Sequence, residues 1–157
     1  MDFDVYERMK RAGITLPDPP PLGGLYTPAR EFGDRLVYSS GCGPQVRGVP
    51  LFTGKLGREL TLEQGQQAAR ACMLNVLSVV QAQVGDLNRV KQVVKLLGFV
   101  ACNDTFYDQP AVLNAASQLL MDIFGDQAGR SARSAIGTNV LPGNIPVEIE
   151  AVFELKE

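Results

Sequence analysis

Histidine is absent from this 157-residue chain. That absence removes Ser-His and Cys-His nucleophilic pairs, histidine-ligated zinc and histidine acid–base catalysis from its own repertoire. Cysteine is scarce: Cys42, Cys72 and Cys102 are an odd number with no close pairing, which argues against a disulfide framework and suits a reducing compartment. No apolar run approaches the roughly 20 residues of a membrane-spanning helix, and the opening MDFDVYERMK lacks the apolar core of a signal peptide. A cytoplasmic location is expected. Excess positive charge is also missing, since a net charge of −2 and a pI near 5.2 provide no global field for phosphate backbones. Chemistry is left to carboxylates, Arg, Lys, Tyr, Cys and the backbone.

What is present suits one soluble domain with a single core: 45% hydrophobic and 20% charged residues over a length that buries about two thirds of the unfolded surface. Residues 1–24 read as an N-terminal helix and proline-rich lead, and residues 25–157 as the domain. Asp4 to Ala12 has the spacing of a short amphipathic helix, with Val5, Met9 and Ala12 on one side and Gly13 as its stop. LPDPPPLGG, Leu16 to Gly24, is too rich in Pro and Gly for regular structure and reads as an extended packing arm or linker.

Leu25–Ala29 and Arg35–Ser39 are expected to be short strands flanking a turn at Glu31 to Asp34. The Gly41 that follows either admits a ligand to the backbone or serves a loop needing positive φ. Gly43 to Leu60 reads as a loop with an edge strand at Pro50 to Thr53. Thr61, with Gln64 three positions on, forms a capping-box pattern. The spacing of Ala69, Cys72, Met73, Val76, Val80 and Val84 carries a helix to Gly85, with Cys72 in the core. Arg89 to Cys102 is so rich in β-branched and apolar residues that a central strand buried on both faces is expected, with Gly98 marking a bulge. A second helix starts at Asp108 with Pro110 in its first turn, and its stripe of Leu113, Ala116, Leu119, Leu120, Ile123 and Phe124 runs to Gly125. Asn114 on that helix is a solvated or interface position.

The closing stretch, ARSAIGTNVLPGNIPVEIEAVFEL, reads as two strands joined by a turn at Leu141 to Asn144. Val147, Ile149, Ala151, Phe153 and Leu155 alternate with mostly charged residues, so one face is apolar. The order is ββ(β)αβαββ, an α+β plan with the helices covering one sheet face. Arg133 opens a small, apolar strand. It is either an edge-strand arginine paired with Glu or water, or a planar fork for a carboxylate.

Arg133-Ser134, Leu141-Pro142 and Val147-Glu148-Ile149-Glu150 together resemble the C-terminal signature of the Rid/YjgF family, the reactive intermediate deaminases. Tyr26, Ser39-Ser40-Gly41 with Pro44, the helix around Asn75, the Gly85-Asp86-Leu87 turn and Asn114 extend the likeness over nearly the whole chain after Leu25. The long lead and the GFVACNDTFYDQPAVLNAASQLL stretch are most similar to the longer branch labelled endoribonuclease L-PSP. The resemblance implies a chorismate-mutase-like mixed sheet with two main helices on one face, assembled as a homotrimer with sites between subunits.

It also implies a cofactor-free, metal-independent deaminase. Arg133 would hold the carboxylate of a 2-imino or 2-enamino acid, and Glu148 would aim a water at the imine carbon, releasing ammonia and a 2-oxo acid. Tyr26, Ser40, Gly41, Asn114 and Ala135 would complete substrate binding. Cys42 stands where many relatives have Gln, Ala135 where they often have Cys, and Ser131 where the endoribonuclease-labelled branch tends to have His. Two competing functions follow: a non-catalytic module that binds 2-oxo acids, and an endoribonuclease. Against the latter stand the acidic pI, the missing histidine and the lack of a basic–aromatic surface pattern, so nucleic acid is not an expected partner.

Overall fold

The computed structural model describes residues 4–157, and the first three residues of the expected N-terminal lead lie outside the described residues. The chain begins with α1 (Val5–Arg11), held by Asp4, whose carboxylate accepts hydrogen bonds from the backbone N–H groups of Tyr6 and Glu7. Val5, Met9 and the following Ile14 are buried in the same core as the rest of the molecule. An irregular arm then leads to β1 (Ala29–Phe32) and β2 (Leu36–Ser39), followed by a two-residue hairpin of β3 (Gln45–Val46) and β4 (Val49–Pro50).

The long helix α2 (Leu62–Val84) starts as its sequence dictates. Thr61 Oγ1 accepts from Gln64 N at 3.2 Å, Gln64 Oε1 accepts from Thr61 N at 2.9 Å, and Gly85 closes the helix at φ +85°. Then come β5 (Val90–Ala101), α3 (Gln109–Phe124), the single turn α4 (Asp126–Gly129), β6 (Ala132–Thr138) and β7 (Val147–Leu155).

Five strands form one mixed sheet in the order β1-β2-β7-β5-β6. β5 runs antiparallel to β7 and parallel to β6, and α3 supplies the crossover that a parallel pair requires. The two main helices cover one face of the sheet. On that face Val147, Ile149, Ala151, Phe153 and Leu155 of β7 are buried with Leu96 and Val100 of β5. Gly98 also faces the helices, and a Cβ there would collide with Leu113 Cδ1 and lie 2.7 Å from its Cγ. The glycine lets α3 lie close on the sheet.

Four expectations need correction. The first strand lies at Ala29–Phe32 rather than Leu25–Ala29, and Leu25 is fully exposed, so its hydrophobicity signals no strand burial. The expected edge strand at Pro50 to Thr53 is the shorter β4. β5 is buried on one face only: Lys91 and Gln92 are exposed, and Lys95, Leu97 and Phe99 half-buried. Its irregularities fall between Val90 and Gln92 and between Val93 and Lys95, whereas Gly98 serves close packing.

The strand order governs the site. β6 and β7 are not neighbours, because β5 lies between them. Leu96 pairs with both Arg133 and Ala151, which puts Arg133 on the helix side; Phe99 pairs with both Ile136 and Glu148, which puts Glu148 on the open side. Alternation along each strand fixes its two faces but not which strand stands beside it. The open face carries Tyr38 beside Val152 and Phe99 beside Ile136, with Leu97 between Glu150 and Ser134 and Lys95 beside Val152; Ile136 is 46% exposed.

Candidate functional site

The predicted residues fall into two separate concave regions. Glu148 and Glu150, from the open face of the sheet, line with Tyr26, Ser40 and Gly41 a cavity of about 620 Å³ that runs past the end of β2 to Val79 on α2. β7 supplies both glutamates at alternate positions. The backbone after β2 is locked beside them, since Cys42 N donates to Ile149 O at 2.9 Å and Ile149 N donates to Cys42 O at 3.1 Å. Ser40 is fixed by its own bonds: its hydroxyl donates to Thr27 O at 2.6 Å and its N–H to Pro28 O at 2.8 Å. On the far side of this loop, Asn75 of α2 donates to the carbonyls of Gly43 and Gln45, each at 2.9 Å.

The structure gives Gly41 a reason that neither reading of its sequence offered. It is not among the positive-φ glycines. A Cβ there would collide with Glu148 Oε1 and lie 3.0 Å from its Cδ, so close approach is what requires glycine. The Glu148 carboxylate is half-buried and receives no hydrogen bond from the described residues. Burial, reinforced by the nearby negative charge of Glu150, raises its pKa. Glu150 itself accepts from Tyr38 Oη at 3.1 Å.

Cys42 is buried in the same wall, and burial with a contribution from Glu148 pushes its thiol up to about 12. Cys72, also buried, donates to Val147 O at 3.3 Å, and burial raises its pKa as well. Neither thiol is disposed to ionise.

On the helix side Arg133, Asn114, Ser117, Ser131 and Arg130 line a smaller hollow of about 360 Å³. Arg133 Nη1 donates to Asn114 Oδ1 at 2.8 Å and to Ser117 Oγ at 3.1 Å. Its Nε and Nη2 edge has no hydrogen-bond partner among the described residues. That edge is the two-pronged geometry which matches a carboxylate. Sequence reasoning found Asn114 but missed Ser117, although three-residue spacing on α3 puts both on one face. Ala135 packs against the core and lines neither cavity. Among the described residues no group of three or more His, Cys, Asp or Glu side chains is placed to hold a metal ion, and no helix is long and apolar enough to cross a membrane.

A mixed five-stranded sheet with two helices on one face, carrying a half-buried glutamate and a carboxylate-ready arginine, defines a YjgF-like α+β protein. The chain belongs to the YjgF/chorismate mutase-like, putative endoribonuclease family, which it matches over residues 6–154. It is 42% identical over 151 residues to Protein TCP17 of Trypanosoma cruzi, a match covering 96% of this chain and 94% of that one. A protein of unknown function from Agrobacterium tumefaciens is 38% identical with a TM-score of 0.87, covering 97% of this chain and 92% of that one. A putative endoribonuclease from Shewanella oneidensis MR-1 is 31% identical with a TM-score of 0.92, covering 98% of this chain and 100% of that one.

Proposed function

We propose that this protein hydrolyses reactive 2-imino and 2-enamino acids to 2-oxo acids and ammonia in a cleft between subunits of a homotrimer. The observation that carries this reading is the division of the site. A guanidinium edge free to chelate a carboxylate and a glutamate free to act as base lie on opposite faces of one sheet, each in a hollow of its own. Neither half is complete until a second copy supplies the other. The exposed Tyr38 and Ile136 of the open face, and the unpaired outer edge of β6, are surfaces that a closed oligomer would cover.

Arg133 of one subunit holds the substrate carboxylate, and Asn114 and Ser117 hold Arg133 by the nitrogen turned away from it. Glu148 of the neighbouring subunit takes a proton from a water whose oxygen adds to the imine carbon, and returns that proton to the imine nitrogen. The carbinolamine hydroxyl then passes its proton by way of Glu148 to the amino nitrogen as the C–N bond breaks, so that ammonia leaves behind a 2-oxo acid. A carboxylate whose pKa is raised is the stronger base for that step. Chelation removes the orientational freedom of a small substrate, and the C=N carbon is already electrophilic, so neither metal nor organic cofactor is required.

RNA cleavage is disfavoured by the charge of the Glu148 cavity, whose lining among the described residues has two carboxylates and no Lys or Arg. Three free, buried cysteines suit a cytoplasmic location. The test is ammonia release from imines generated in situ by an amino-acid oxidase. Acceleration over the spontaneous rate supports the enzyme. Binding of 2-oxo acids without acceleration assigns the same cleft to a sensing module instead.

A further inference from the structure

The cavity around Glu148 is larger and more apolar than hydrolysis of a three-carbon imine demands. Its volume of about 620 Å³ lies in the range that accommodates drug-sized molecules, and it extends from Glu148 and Glu150 to Val79 on α2. Pro20, Pro21 and Leu22 from the N-terminal arm line it together with Pro50 and Ile145, and among the described residues no Lys or Arg lines it. Within this lining a second carboxylate would meet only Glu148 and Glu150, whereas an apolar group would find apolar walls.

This wall is tied to α2 at its start and bent back on itself at its end. Ser78, 3% exposed on α2, donates its hydroxyl to Pro17 O at 2.5 Å. Gly23 N donates to Tyr26 Oη at 3.2 Å. Between those ties Pro19, Pro20 and Pro21 have fixed φ and no N–H, so the arm presents rings and a leucine rather than backbone donors. Leu22 is 51% exposed, leaving apolar surface that a ligand can cover.

We infer that the proline arm is the specificity wall of the site and that it selects substrates with bulky apolar side chains, branched aliphatic or aryl. The chemistry of those substrates rests on the hydrolytic reading above, but the selectivity rests on the cavity alone. A side chain of four or more carbons covers surface that a methyl group leaves to water, and each buried carbon contributes severalfold in affinity.

The test uses the full chain and two readouts. Calorimetry compares the 2-oxo acids derived from leucine and from alanine, and ammonia release compares the corresponding imines. The leucine-derived acid is expected to bind about tenfold or more tightly than pyruvate. Leu22→Asp, at an exposed position, should cut that ratio severalfold, and Leu22→Ala should cut it less. Equal affinities for the two acids, or a ratio that neither variant changes, overturn the inference. Selective binding without any imine hydrolysis retains the wall and removes the deaminase. Equal affinities and equal hydrolysis of both imines remove the wall and retain the deaminase.

Discussion

Replacing Gly41 by alanine separates a site built on close approach from a mere loop. The backbone at Gly41 accepts an L side chain, because its φ is not positive. The added methyl would nevertheless collide with Glu148 Oε1 and sit 3.0 Å from Cδ and 3.1 Å from Cγ, inside the 3.4 Å of ordinary contact. Glu148 is only half-buried, so its side chain can swing outward by about 1 Å instead of forcing the sheet apart, and the stability cost should stay below about 1 kcal/mol. The chemistry should suffer far more. Displacing a catalytic group by about 1 Å costs on the order of 10²-fold in rate, or about 2.7 kcal/mol. Coupled ammonia release gives kcat/KM, and thermal unfolding monitors the fold. A folded Gly41→Ala protein with unchanged turnover would refute the reasoning, because Glu148 could then be moved without consequence.

Arg133→Lys keeps the charge but loses the planar fork, so 2-oxo acid affinity and turnover should both fall, by about 10²-fold for turnover, whereas Glu148→Gln should bind product at least as well as the parent while losing most of its rate; calorimetry and ammonia release check the two. Because burial and Glu150 raise the Glu148 pKa, acidification should protonate the base at a higher pH than an ordinary glutamate, and Glu150→Gln should move the acid limb of the kcat/KM profile to lower pH. The same raised pKa stabilises the fold fully below the unfolded carboxylate's pKa and is lost as pH rises through the folded one, so Glu148→Gln should raise the melting temperature at neutral pH and not at low pH. Thiol alkylation of the folded protein should leave ligand binding intact, since Cys42 and Cys72 are buried with raised pKa values; mass spectrometry showing rapid labelling of Cys42 with loss of turnover would assign it a role in the site.

The helices were the most legible part of the chain, because their signals are local. Thr61 and Gln64 cap α2, Gly85 ends it, and the apolar stripe of α3 needs no partner to be recognised. Strand positions near Leu25 were less legible, since a short run of apolar residues beside Pro and Gly reads alike in a strand and in an exposed arm. The arrangement of the C-terminal strands could not be read at all from alternation. Arg133 and Glu148 are close in sequence and belong to one motif, yet β5, from earlier in the chain, lies between their strands, and the register with Leu96 and Phe99 sets them on opposite faces. Ser117 escaped notice because a serine on an exposed helix face has no signature of its own; only the Arg133 guanidinium gives it a role. The proline arm likewise reads as a linker until its tie to Ser78 places it along a cavity.

The shared site is tested most directly by mixing two inactive variants. Arg133→Ala and Glu148→Gln chains, each verified as a folded trimer near three times the 17.0 kDa chain mass, are dissociated together and reassembled in equal amounts. If each site takes Arg133 from one subunit and Glu148 from its neighbour, every mixed trimer contains one intact site of its three, and random mixing should restore about a quarter of the parent activity. If both residues served a site within one chain, the mixture would remain as inactive as its components, and that result would contradict the account.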